Sequence, residues 1–326
     1  MIFTRDIGID LGTENTLICD RKGRIIISEP SVVAVDVKSR RVLATGEKAK
    51  TMIGRTPGSI VAVKPLNDGV IADFDMTADM LHDFIYRSSK RSFFTKTRVV
   101  ISVPSGVTEV ERRAVEDAVR AAGAQEVELI EEPMAAALGV GLPVFEAKGS
   151  MIVDIGGGTC DVAVISLGGI AARKSIKTAG NALDEAIINY MKKSHNLLIG
   201  TITAEDIKLK IGSAMEYDGE AVMEVRGRNL TDGLPNAIEV TSAEIREVLS
   251  VPVSEIIGAI RETLEVTLPE LAADIIDKGI YITGGTSLLR GLPELITQET
   301  KIAVHKTDMP LEAVAIGASV KLRRAK

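Results

Sequence analysis

Residues 151–166 read MIVDIGGGTCDVAVIS, and residues 7–18 read IGIDLGTENTLI. Each is an apolar strand ending on an aspartate, Asp154 or Asp10, then a glycine turn with a threonine, then a returning apolar strand. Glycines tolerate positive φ and leave backbone N–H groups uncovered, so such a turn can wrap an anion, and threonine adds a hydroxyl donor. An aspartate at the strand end repels phosphate. It makes sense if a divalent cation lies between them, held through waters as Mg²⁺ usually is. Singly, either stretch is equally an ordinary β-turn with Asp as a turn residue. Almost half the chain apart, the pair predicts two related domains that face each other and clamp a polyphosphate from both sides.

The 326 residues suit two domains better than one small core. With 45% hydrophobic and 26% charged residues the chain has an ordinary globular balance. A net charge of −6 and a pI near 5.4 argue against a nucleic-acid partner. Trp is absent and aromatics are 3%, so the core must come from Val, Ile, Leu, Ala and Met. Cys19 and Cys160 form no disulfide framework or zinc spacing, and His82, His195 and His305 are scattered. The start, MIFTRDIGID, runs straight into a strand rather than a signal peptide, and no apolar run reaches the ~18 residues of a membrane span. A cytoplasmic location is expected.

Strand-like runs fall at 7–9, 17–19, 25–27, 32–35, 99–103, 127–130, 151–154, 162–166 and 279–283, interleaved with helical patterns, which predicts an α/β architecture. Thr108 and Glu111 read as a capping box opening a helix that stops at Gly123, with Val110, Ala114, Ala118, Val119 and Ala122 on its inner face. Thr203 reads as the cap of the next well-marked helix, and 242–269 as one long helix or two interrupted near Pro252. In LIEEPMAAALGVGL (129–142), Pro133 suits a first helical turn and places Glu132 at a helix N-terminus, while the alanines permit close helix packing. In YITGGTSLLRGLP (281–293), a strand meets Gly284 and Gly285, and Thr286 and Ser287 are expected to start a helix, giving either another phosphate cradle or a plain β–α turn. Neither a P-loop nor a Rossmann fingerprint occurs.

In this order, Asp-Leu-Gly-Thr, Glu-Pro-Met-Ala-Ala-Ala, Asp-Ile-Gly-Gly-Gly-Thr and Thr-Gly-Gly resemble the actin/Hsp70/sugar-kinase ATPase superfamily, and more closely its bacterial actins, the MreB/Mbl family. The resembling stretches also include EPSVVAVD, MIGRTPGSIVAVKPLNDGVIADF, VERRAVEDA, LLIGTITAEDIK, ADIIDKGIYITGG and EAVAIGA, and so span nearly the whole chain. The resemblance implies an actin-like ATPase fold: two related ribonuclease H-like domains around a nucleotide cleft, each with a smaller subdomain. The implied bounds are 1–33, 67–143 and 311–326 for subdomain IA, 34–66 for IB, 144–180 and 244–310 for IIA, and 181–243 for IIB.

It further implies slow hydrolysis of ATP to ADP with Mg²⁺. Asp10, Gly12, Thr13, Asn15 and Thr16 would form the first phosphate hairpin, and Asp154, Gly156, Gly157, Gly158 and Thr159 the second. Asp10 and Asp154 would order the metal's water shell. Glu132, helped by Thr159, would orient the attacking water. Glu205 and Lys208 would approach the adenosine, unless they are simply a solvent-exposed ion pair three apart on a helix. Gly284, Gly285 and Thr286 would cover the α-phosphate and adenosine side. Departures from the family pattern are Glu14, where a small residue is usual, Cys160-Asp161 after Thr159, Gly-Gly-Thr-Ser at 284–287 and Asn181-Ala182-Leu183-Asp184.

Implied partners are further copies of the chain in paired protofilaments, the inner face of the cytoplasmic membrane, and membrane-embedded wall-elongation proteins. Phe93 and Phe94, amid Lys90, Arg91, Lys96 and Arg98, suit an anionic bilayer surface, at ~1 kcal/mol per basic residue. The alternative reading is that the two rings cap the sheet core. The alternative function is a monomeric ATPase of the same superfamily, or a small-molecule kinase, that does not polymerise.

Overall fold

The computed structural model describes residues 3–88 and 95–324. The chain opens with an antiparallel meander, β1 (Phe3–Leu11), β2 (Asn15–Asp20) and β3 (Ile25–Pro30). A small antiparallel sheet follows, from β4 (Val33–Asp36), β5 (Val42–Thr45) and β6 (Ile60–Val63), with the one-turn α1 (Glu47–Lys50) before its last strand. A short hairpin, β7 (Leu66–Asn67) and β8 (Val70–Ile71), leads to α2 (Phe74–Arg87). Then β9 (Thr95–Val103), α3 (Glu109–Ala121) and β10 (Glu126–Glu131) complete a five-stranded sheet, ordered β10-β9-β1-β2-β3, and α4 (Glu132–Gly139) leaves it.

The same plan then repeats. β11 (Ser150–Ile155), β12 (Cys160–Ser166) and β13 (Gly169–Ile176) form the second meander. After α5 (Gly180–His195) comes a second small sheet, from β14 (Leu197–Leu198), β15 (Val222–Asn229) and β16 (Pro235–Thr241), with α6 (Thr201–Ile211) inserted. The chain continues through α7 (Ser242–Glu265), α8 (Pro269–Lys278), β17 (Ile280–Thr283), a 3₁₀ turn (Gly285–Leu288), α9 (Leu292–Thr300) and β18 (Val304–Lys306) to α10 (Ala313–Arg324). The second large sheet runs β13-β12-β11-β17-β18, with the same pattern of antiparallel and parallel neighbours as the first.

Helices α4 and α10 lie between the two large sheets. Ala135, Ala136, Ala137, Val314, Ala318 and Leu322 share one buried cluster with Val100 and Ile130 of the first sheet and Ile152, Ala163 and Ile165 of the second. The alanine run does what its composition predicts. A Cβ built on Gly317 would sit 1.7 Å from the Ala135 carbonyl, and one on Gly139 would sit 1.8 Å from that of Ala313, so the crossing leaves no room for side chains. Among the described residues, no helix is long and apolar enough to cross a membrane.

Three local expectations change, and the reading left open at Pro252 resolves to one long helix. Val110 is 77% exposed, and Val115, Ala118, Val119 and Ala122 make the buried stripe of α3. That i, i+3, i+4, i+7 spacing leaves Val110 off the face. Thr203 lies inside α6, which begins at Thr201 behind Gly200 without a side-chain cap. Pro252 does not interrupt α7, where Ser250 and Ser254 hydroxyls donate to the Glu247 and Val251 carbonyls on either side. Thr286 and Ser287 form only the short 3₁₀ turn.

Candidate functional site

The two glycine turns close identically. In each, the glycine N–H donates to a carbonyl three residues on, Gly12 to Asn15 at 3.1 Å and Gly156 to Thr159 at 2.9 Å. The strand pairing just before each turn also matches, Asp10 opposite Leu17 and Asp154 opposite Asp161. The hairpins meet tip to tip. A Cβ on Gly157 would fall 2.3 Å from Glu14 Cγ, and one on Gly158 would fall 2.4 Å from Thr13 Oγ1. The second tip is therefore glycine because the first tip's side chains occupy the space above it. The turn between β7 and β8 wedges against both: Gly69 N–H donates to Thr13 Oγ1 at 2.9 Å, and Asp68 Cα borders Gly158.

Between these elements lies a cleft of about 430 Å³, in the range of small-molecule sites. Asp10, Gly12, Thr13, Asn15, Glu132, Asp154, Gly156, Gly157, Gly158, Thr159, Glu205, Lys208, Gly284, Gly285 and Thr286 all line it. Thr16, singled out with the first hairpin, does not line the cleft. It is fully buried behind the hairpin, with its hydroxyl 2.8 Å from Ser31 Oγ. Phe93 and Phe94 lie outside the described residues.

Acidic groups concentrate on the floor of the cleft. Ser102 Oγ donates to Asp10 Oδ1 at 3.0 Å. Burial nonetheless pushes Asp10 up to about 7. Asp154 is 7% exposed, and burial, followed by the charges of Asp10 and Asp161, holds it well above the carboxylate range. Glu132, at the first turn of α4 and 8% exposed, is raised by burial and then by Asp161, Asp10 and Asp154. Asp161 is 1% exposed and also raised by burial, although the Ser105 amide donates to its Oδ1 at 3.0 Å.

Six carboxylates line the cleft against two cationic side chains, Lys208 and Arg290. Such a surface holds an anion only together with a cation that offsets the acids. Among the described residues, no three His, Cys, Asp or Glu side chains are arranged to hold a metal ion themselves.

The upper wall comes from the second half. Gly284 lies directly over Asp154, where a Cβ would fall 2.6 Å from Oδ1. Thr286 Oγ1 donates to the Gly156 carbonyl at 2.7 Å, and the amides of Gly180 and Asn181 at the start of α5 donate to the Gly156 and Gly157 carbonyls. Glu205 and Lys208 do not pair with each other. Lys208 Nζ donates to Asp184 at 2.9 Å and to the Gly180 carbonyl at 3.0 Å, and Glu205 pairs with Lys50 at 3.4 Å across the cleft.

Ser102, Lys50 and Lys64 were not legible as site residues. Asp161, Asp184 and Glu14 stood out only as departures from a pattern. The β7–β8 turn carried a usable signal, Asn-Asp-Gly between short apolar pairs, with Asp68 and Gly69 at φ 47° and 76°.

A family model described as MreB/Mbl protein matches residues 4–326. The cell shape-determining protein Mbl of Bacillus subtilis (strain 168) is 48% identical over 321 residues, covering 98% of this chain and 96% of the relative. The cell shape-determining protein MreB of Escherichia coli (strain K12) is 49% identical over 326 residues, covering 98% and 94%. The crystal structure of MreB5 of Spiroplasma citri bound to ADP superposes with a TM-score of 0.92 at 38% identity, over 98% of this chain and 96% of that one. The chain belongs to the MreB/Mbl family and has its actin-like fold.

Proposed function

We propose that this chain binds ATP with Mg²⁺ in the cleft, hydrolyses it slowly to ADP and phosphate, and uses the cycle to govern filaments on the inner face of the cytoplasmic membrane during wall elongation. The observation that carries the reading is the pair of matched hairpins meeting tip to tip, with Glu132 on the floor beside them. MreB5 of Spiroplasma citri, solved with ADP and with AMPPNP, supports the choice of nucleotide.

The hairpin amides cradle the phosphates. Asp10 and Asp154 would hold the hydrated ion, whose charge, when bound, would offset both the acids and the polyphosphate. Glu132 accepts a hydrogen bond from a water and aims it at the γ-phosphorus, with Thr159 alongside. A bond forms between that water oxygen and phosphorus as the bond to the β–γ bridging oxygen breaks, ADP leaves with that oxygen, and the water's displaced proton passes by way of Glu132 to solvent. Positioning and electrostatics, without covalent catalysis, fit a slow timer. Lys208 and Glu205 approach the adenosine side, beside Gly284, Gly285 and Thr286.

The cleft would open and close between four subdomains with the bounds given above, since the second small sheet falls within 181–243 and the first, apart from Val33 at the start of β4, within 34–66. Closure with ATP would favour polymer contacts. Membrane attachment rests on the sequence of the segment between α2 and β9. Changing Phe93 and Phe94 to Ser should reduce liposome co-sedimentation and leave folding intact. Pelleting and negative-stain microscopy with ATP on lipid test the whole reading. Paired protofilaments are expected, and a persistent monomer that phosphorylates a sugar contradicts it.

A further inference from the structure

Glu14 is an anomaly in a phosphate cradle. It sits at the tip of the first hairpin, lines the cleft and lies against Gly157 of the second. Its charge opposes any polyphosphate bound there. Lys64 Nζ meets Glu14 Oε1 in an ion pair. Lys64 does not itself line the cleft. It follows β6, the last strand of the first small sheet, and directly precedes the β7–β8 hairpin whose turn touches Thr13 and Gly158. The pair is only partly exposed, at 34% for Lys64 and 25% for Glu14, so water screens it incompletely.

We propose that Lys64 is a positioning residue for phosphate binding: it neutralises Glu14 and pins that side chain against the second hairpin, so that the small sheet must be seated on the first hairpin before the cleft accepts a nucleotide. The inference rests on the nucleotide reading above. Its logic is that of a charge acting through another charge. Losing Lys64 exposes the ligand to Glu14, whereas losing Glu14 makes Lys64 unnecessary.

The test is a double-mutant cycle with a fluorescent ADP and a fluorescent ATP analogue, each titrated with Mg²⁺ into the full chain. Lys64→Ala should weaken binding about tenfold or more, with the larger loss for the triphosphate. Glu14→Ala should bind within about threefold of wild type or more tightly, and Glu14→Ala/Lys64→Ala should match Glu14→Ala. Lys64→Arg should restore affinity, and the melting temperature of nucleotide-free Lys64→Ala should stay close to wild type. A double variant as weak as Lys64→Ala would overturn the proposal, because Lys64 would then act on the phosphate directly. Unchanged affinity in Lys64→Ala would also overturn it. Wild-type protein that binds neither nucleotide would sink the underlying reading instead.

Discussion

The two phosphate hairpins share a backbone but not a surface. Both close with the same hydrogen bond after an aspartate. The first carries Thr13 and Glu14 at its tip, and the second carries Gly157 and Gly158. One hairpin fills the space that the other vacates. The strand residues just beyond the turns, Thr16 and Cys160, both point away from the cleft, Thr16 to the Ser31 hydroxyl and Cys160 into the apolar core of the second half. The repeat thus conserves the turn that presents amides, while the side chains have diverged into complementary halves of one contact.

The sharpest way to break this complementarity is to put a side chain where the second tip has none. Gly158→Val would collide with Thr13 Oγ1 and the Asp68 backbone, and should abolish nucleotide binding, by at least about a hundredfold, as overpacking at a rigid contact does. The reciprocal Thr13→Gly loses one hydrogen bond from Gly69 and should cost about tenfold or less in a nucleotide titration. Equal losses would mean the tips are not complementary.

A smaller effect separates the two aspartates' surroundings. Asp10 is raised from 3.8 to about 7 by burial. A carboxyl raised on folding contributes stability that is fully present below about pH 4 and lost as pH rises through about 7. In metal- and nucleotide-free protein, the melting temperature of Asp10→Asn should therefore gain on wild type as pH rises from about 4 to about 7 and level off above that. Saturating Mg²⁺ and nucleotide should reverse that advantage in the wild type's favour. A pH-independent difference would show that Asp10 is ionised throughout.

The smallest effect is expected at Cys160. Its thiol is fully buried among Ile155, Val162 and Leu183 and does not line the cleft, so Cys160→Thr should release phosphate at the wild-type rate. A changed rate would mean that the residue after Thr159 reaches the site indirectly.

Much of this was legible in the sequence for a physical reason. Asp10, Asp154 and their glycines follow from backbone demands, which leave a short, local and repeated signature. Pro133 placed Glu132 at a helix start, and its role in the site came only from the family resemblance. What stayed hidden was long-range. Lys64 reaches Glu14, Lys50 reaches Glu205, and Lys208 turns from Glu205 to Asp184. Those pairings depend on how the small sheets sit over the cleft, and no local spacing encodes that. Thr16 and Val110 were misplaced by smaller margins, one residue past a turn and one position off a helical stripe.

The central claim, that Glu132 aims water at a phosphate held between the two hairpins, is tested most directly by phosphate release from Glu132→Gln under saturating MgATP. Release should fall by about a hundredfold or more while the affinity for a fluorescent ATP analogue stays within about threefold of wild type. Release that persists near the wild-type rate with binding intact would contradict the account.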